Sequence, residues 1–467
     1  MESYLETLKK EKILSLFLAT VLLFVAVLVF SLNMSLAIFS VLLFVSALVF
    51  RHSFHKGLIF FLTLIILFPP FQFLSAGNDS QVLLIVILAF IGLLNLFISR
   101  HKFKFLPLFK YWLILEILIL FSFLFTKISN GGDFPSVYYP DFLKLFLLFL
   151  LFPVIILAFQ FFFQTEKRIE KFILFIIILG FLKSLLLIFA QLLIRKSLPL
   201  DSNSPDSLIV LSITIPLTLG LWYLRKNNPS ENKEEEKFTE QEVRSDREVV
   251  SLTKSFLIRL SKLNHSKNFF LAVFTVQSLA LFLSQQFYFF FIIAIAILIM
   301  GILLREKAFL QIAVWSVLFF SFKFYFSDVN TIAQIKEILI HLFHLNKKFF
   351  FPILGGNPSG FYTDSFNSSF LFLYYHLGLF GLLIFLGALG QYFWEIRTTY
   401  LQSEGAKRIY LVVILSIFII FLILATIQNV YFAWPASLLF WLLYGLLQNL
   451  QTRKIEYRLT ESIISSN

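Results

Sequence analysis

Long apolar runs separated by short polar segments repeat from one end of the chain to the other. Most runs reach about 18 residues or more, enough for a helix to cross ~30 Å of hydrocarbon. The pattern predicts about 14 spans, near 13–32, 35–50, 57–75, 81–98, 108–127, 141–163, 170–194, 207–224, 269–283, 286–304, 307–325, 368–391, 408–427 and 431–448. The expected fold is therefore all-α, a polytopic transmembrane helical bundle. The first run follows a charged start, MESYLETLKKEK, but no small-residue cleavage site follows, so it reads as a retained span.

The polar segments orient the bundle. With the N-terminus inside, the internal segments are 51–56, 99–104, 166–171, 225–268, 305–307 and 395–408, all rich in Lys and Arg. The segments 76–80, 128–140 and 197–207 then fall outside and contain neither residue. This alternation is the positive-inside pattern. It divides the chain into N-terminal transmembrane helices (1–224), a charged cytoplasmic linker (225–268), C-terminal transmembrane helices (269–448) and a cytoplasmic tail (449–467). Within the linker, 251–263 has apolar residues at helical spacing with Lys and Arg between them, as in a helix lying on the inner surface.

Composition changes the picture in three ways. The chain is 59% hydrophobic and 14% charged, which excludes a water-soluble domain of this length. Its net charge of +12 sits in the short connecting segments, so it orients the chain and does not signal a nucleic-acid partner. There is no Cys, which excludes disulfides, thiolate catalysis and Cys metal sites. The 64 Phe read as lipid-facing bulk and interhelical filler.

The largest external segment, 326–367, departs from the featureless apolar background. It opens with SDVNTIAQIKEILIHLFHLNKK, in which Asn330, Gln334, Glu337, His341, His344 and Lys348 share one helix face. This predicts an external amphipathic helix whose polar face meets either water or a cavity. Pro352 ends that helix, and Gly355, Gly356, Pro358 and Gly360 follow; such a loop can present N–H groups to an anion. Asp364 and Asn367 sit at the mouth of the next span, where they either cap the helix or face a site. His376 lies deeper, with Tyr374 and Tyr375 as packing neighbours. Glu116 and Lys183 are intramembrane charges that either pair or line a cavity.

Taken in order, the blocks QLLIRKSLPLDSNSPDSLIVLSITIPL (191–217), LALFLSQQFYFFFIIAIAILIMGILL (279–304) and the stretch from AQIKEILIHLFHLNKKF through PILGGNPSGF to SSFLFLYYHLGLFGLLIFL, with Gly378 and Gly381, resemble the bacterial O-antigen ligases and O-antigen polymerases. The resemblance covers roughly residues 190–445. The chain departs from the family pattern where Gln285 or Gln286 takes the place of an Arg, Asn367 that of a His, and Lys336 that of the helix Arg, keeping its charge but losing the bidentate fork.

The resemblance implies transfer of a glycan from a polyprenyl diphosphate carrier to an acceptor hydroxyl, at the outer face of a bacterial inner membrane. Its departures favour an O-antigen polymerase; ligation to lipid A-core and a lipid-linked oligosaccharide flippase are the alternatives, with a non-catalytic carrier-binding scaffold as a third. Expected partners are the carrier-linked glycan, the bilayer and a chain-length regulator. Lys336, His341, His344, Asp364 and Asn367 are the candidate catalytic residues. Arg195, Lys196, Lys323, Lys347 and Lys348 are candidates to stabilise charge developing on the diphosphate, and Gly355, Gly356 and Gly360 supply loop backbone. No P-loop, dinucleotide fingerprint or external carboxylate pair stands in the sequence, so no cofactor and no metal are expected.

Overall fold

A computed structural model describes residues 106–129, 146, 149, 152, 153, 156, 166–193, 205–227, 267–284, 288–326, 368–428, 430, 431 and 436–465. The chain divides into compact units at residues 1–102 and 103–467, and every described residue belongs to the second. The described residues form helices and short connections, with no strand among them. Helices alone allow an isolated segment to satisfy all its backbone groups away from water.

The helices are α1 (Phe109–Ser129), α2 (Glu166–Leu193), α3 (Pro205–Asn227), α4 (Lys267–Leu283), α5 (Tyr288–Leu304), α6 (Lys307–Phe326), α7 (Ser369–Leu401), α8 (Gly405–Ile427) and α9 (Ala436–Ser465). Among the described residues, four stretches are long and apolar enough to cross a membrane: Arg168–Phe189, Leu208–Asn227, His376–Leu401 and Gly405–Ile427. Helices α2, α3 and α4 pack as a group, α5 and α6 form a hairpin, α1 lies on α7, and α8 touches α3, α5, α7 and α9.

Close contacts fix the directions of these helices. Gly180 of α2 faces Thr214 of α3, where an added Cβ would stand 2.5 Å from Thr214 Oγ1. Gly220 of α3 admits Val413 of α8 in the same way. Thr218 donates to Gln277 Oε1 of α4 at 3.1 Å. Small residues at such crossings let helix backbones approach closely. With the Glu170–Arg225 pair, the Gly180–Thr214 contact makes α2 antiparallel to α3. Arg225 pairs with Glu170, and Lys226 Nζ meets Glu306 Oε1 at 2.9 Å. The start of α2, the end of α3 and the α5–α6 turn therefore meet at one end. The basic segments 166–171 and 305–307 and the start of the linker meet there, and α2 and α6 end, and α3 and α7 begin, at the opposite end.

An aromatic cluster forms the core. Trp112 of α1 contacts Trp441 of α9 edge-on at 4.5 Å and lies against Phe149 and Phe152. Tyr392 of α7 meets Tyr444 at 4.8 Å and Phe418 at 5.3 Å. The Phe residues divide between the two expected roles: Phe149, Phe289, Phe385 and Phe440 are fully buried, whereas Phe121, Phe189 and Phe380 are exposed.

Two expectations need correction, and one helix extends beyond its expected span. Helix α7 runs to Leu401, beyond the expected span end at 391, so Glu395 is a buried helical residue and not part of a solvated connection. Helix α9 runs to Ser465, making most of the expected tail helical. Glu116 and Lys183 do not pair: α1 lies on α7, α2 lies on α3 and α4, and the Glu116 carboxylate oxygens have no hydrogen-bond partner among the described residues.

Candidate functional site

The end opposite the basic segments is built around the start of α7 and the α8–α9 turn. Ser368 donates its hydroxyl to the Ala425 carbonyl at 2.9 Å. The Gln428 carbonyl accepts from Ser369 N at 3.2 Å, from Ser369 Oγ at 3.2 Å and from Val430 N at 2.9 Å. Ser369 Oγ in turn accepts from the Tyr431 N–H at 3.1 Å. The Gln428 side-chain amide donates to the Tyr288 hydroxyl at the start of α5. Unwound turns expose backbone groups that need partners, and here two serines supply them.

This junction stands where the sequence places the mouth of the span that follows the Gly-rich segment. Ser368 follows Asn367 directly, and Tyr288 follows the Gln285–Gln286 pair. The candidate residues Arg195, Lys196, Lys336, His341, His344, Lys347, Lys348, Asp364 and Asn367, and Gly355, Gly356 and Gly360, lie outside the described residues, as do Gln285 and Gln286. Lys323 lies on the last turn of α6, which ends at this same end of the bundle. Among the described residues, no group of His, Asp or Glu is arranged to hold a metal ion.

His376 is buried, as its sequence position suggested, and its ring lies on Phe372 at 4.4 Å, one turn back. Its carbonyl accepts from Ser122 Oγ of α1 at 2.6 Å. Two residues later, Gly378 leaves the helical path with φ 67° and ψ −168°. Positive φ with extended ψ is open to glycine and closed to other residues. The Gly378–Gly381 pair of the sequence thus marks a break inside α7.

A second polar cluster, missed in the sequence, occupies the basic end. The Glu395 carboxylate accepts from Gln391 Nε2 at 2.9 Å, from the Tyr444 hydroxyl at 2.9 Å and from Gln448 Nε2. Thr399 Oγ1 donates to the Glu395 carbonyl at 2.7 Å and accepts from Gln451 Nε2 at 2.8 Å. The available signal was the spacing of Gln391, Glu395 and Thr399, which puts all three on one helix face. Chemically, this cluster fastens α7 to α9; it lies at the end away from the candidate loops.

Apolar helices of spanning length mark a helical membrane protein. No family model matches the chain, and neither a curated protein nor a solved structure is found to match it.

Proposed function

We propose that this protein is a membrane glycosyltransferase. It moves a polyprenyl-diphosphate-linked glycan to an acceptor hydroxyl at the outer face of a bacterial inner membrane, as a polymerase of O-antigen or a related polysaccharide. In this reading the chain crosses the membrane about 14 times, with both termini cytoplasmic. The observation that carries the reading is the shared end of the bundle. The segments that bear Arg195, Lys196, Lys336, His341, His344, Lys347, Lys348, Asp364 and Asn367 all begin and end on helices whose termini lie there, beside Lys323. The cations stabilise the leaving diphosphate, and Asp364 or a loop histidine takes the acceptor proton. The Ser369–Gln428–Tyr288 junction is the floor on which that loop is mounted.

A transporter of lipid-linked oligosaccharide is the second reading, favoured by the break at Gly378, because interrupted spans recur in transporters.

The deciding experiment is the size-resolved envelope glycan profile of a deletion strain complemented with wild type, Lys336→Ala or Asp364→Ala. Short single-repeat glycans on the lipid anchor support a polymerase. Loss of anchored glycan with polymer retained on the carrier indicates a ligase. Lipid-linked repeats trapped inside indicate a transporter, and an unchanged ladder overturns the glycosyl-transfer reading.

A further inference from the structure

Helix α7 is fastened on both sides of its break. Outside it, Ser368 and Ser369 hold the α8–α9 turn. Inside it, Gly387 receives the Tyr111 ring, 3.0 Å from where a Cβ would stand, and Glu395 holds α9. Between these anchors stand two glycines with different tasks. Gly378 supplies the dihedrals. Gly381 supplies space, because a Cβ there would overlap the Leu377 Cβ. That overlap belongs to the bent form alone: in a regular helix, Cβ atoms four residues apart stand about 5–6 Å from each other.

We propose that Gly378-Leu379-Phe380-Gly381 is a two-state joint in α7, bent when Ser122 holds the His376 carbonyl and straight when that carbonyl returns to the helix. In an unbroken helix, the His376 carbonyl accepts the N–H of Phe380. The Gly378 dihedrals carry that N–H off the helical path, and Ser122 Oγ supplies a donor from α1. The two states exchange one donor for another on the same buried carbonyl, so neither leaves the group unsatisfied in the membrane. Exchange of this kind makes an element bistable. The outer segment, Ser369–Leu377, continues directly from the loop that ends at Asn367, so straightening re-aims the base of that loop. The inference does not depend on glycan transfer, and its readout is a distance.

The chain lacks Cys, so Phe370→Cys and Phe393→Cys place two spin labels on α7 without further substitution. A straight helix separates these positions by about 35 Å, at about 1.5 Å per residue; the bent form is shorter. Electron–electron distance measurement in the full-length reconstituted protein should give both distances. Ser122→Ala and Gly381→Ala should each raise the long-distance fraction at least two-fold, and Gly378→Ala should raise it most. Gly390→Ala, where a Cβ meets nothing within 4 Å, should leave the distribution as in wild type. Ser122→Ala removes only a hydroxyl, which keeps the test open if a glycine variant fails to fold. A distribution that is the same in wild type, Ser122→Ala and Gly381→Ala overturns the joint, as does a shift that Gly390→Ala reproduces.

Discussion

The Tyr444 hydroxyl donates to Glu395 Oε2 across 2.9 Å, tying α9 to α7 inside the bundle. Gln391 and Gln448 donate to the same carboxylate, and the side chain is buried. All three partners are donors, so the group serves as an acceptor throughout. Tyr444→Phe removes one of these bonds and should cost about 1–3 kcal/mol. Glu395→Ala should cost more, because it removes the acceptor that three side chains share. Thermal unfolding in detergent checks the order; a Glu395→Ala protein that melts with wild type would remove the cluster from the account of stability.

The interhelical glycines should rank by how firmly their neighbours are fixed. A Cβ on Gly180 meets Oγ1, Cγ2 and Cβ of Thr214 between 2.5 and 2.7 Å, and a Cβ atom cannot rotate away. A Cβ on Gly220 meets one methyl of Val413, whose stiff χ1 resists but does not forbid movement. Gly390 faces open space. Gly180→Ala should therefore destabilise most, by about 1–3 kcal/mol for overpacking, then Gly220→Ala, with Gly390→Ala neutral or slightly stabilising. Melting temperatures of the three single variants test this ranking, and a destabilised Gly390→Ala would break it.

Much of this arrangement was legible because it rests on features that sequence states directly. Runs such as 409–427 are almost entirely apolar, and α8 occupies Gly405–Ile427. The basic segments 166–171 and 305–307 differ from 197–207 in composition alone, and the first two gather at one end through Glu170–Arg225 and Glu306–Lys226. The Glu395 cluster was hidden because EIRTTYLQSEGAKR reads as a polar connection, while the partners that bury it lie 49 and 53 residues away. The aromatic core was hidden for the opposite reason. With 64 Phe in the chain, Phe149 and Phe385 look no different from the exposed Phe121. Gly378 and Gly381 stood out as a pair, but only backbone dihedrals separate a break from a packing site.

Orientation can be read chemically, because every introduced cysteine is unique. Ser202→Cys lies in the segment between α2 and α3, and Ser230→Cys follows α3. A membrane-impermeant maleimide should label Ser202→Cys in intact spheroplasts and Ser230→Cys only after permeabilisation. The reverse result would invert the assignment and put the candidate loop on the inner side. Glycan transfer from an outward-facing carrier would then lose its geometry.

Ser369 links the structural and functional arguments most closely. Its hydroxyl donates to the Gln428 carbonyl and accepts the Tyr431 N–H, so one oxygen serves two backbone groups of the α8–α9 turn. Ser369→Ala leaves the Tyr431 N–H without that acceptor in a buried position, at a cost of about 1–3 kcal/mol. Ser369→Thr keeps the oxygen and should recover part of the loss. If the junction is only a structural clasp, the alanine variant should lower the melting temperature while the glycan ladder changes in proportion to the amount of folded protein. If it is the floor of the site, the ladder normalised to folded protein should shorten in Ser369→Ala, and threonine should restore it. Normalised ladders equal to wild type in both variants would separate this junction from the chemistry and leave it as a fold element alone.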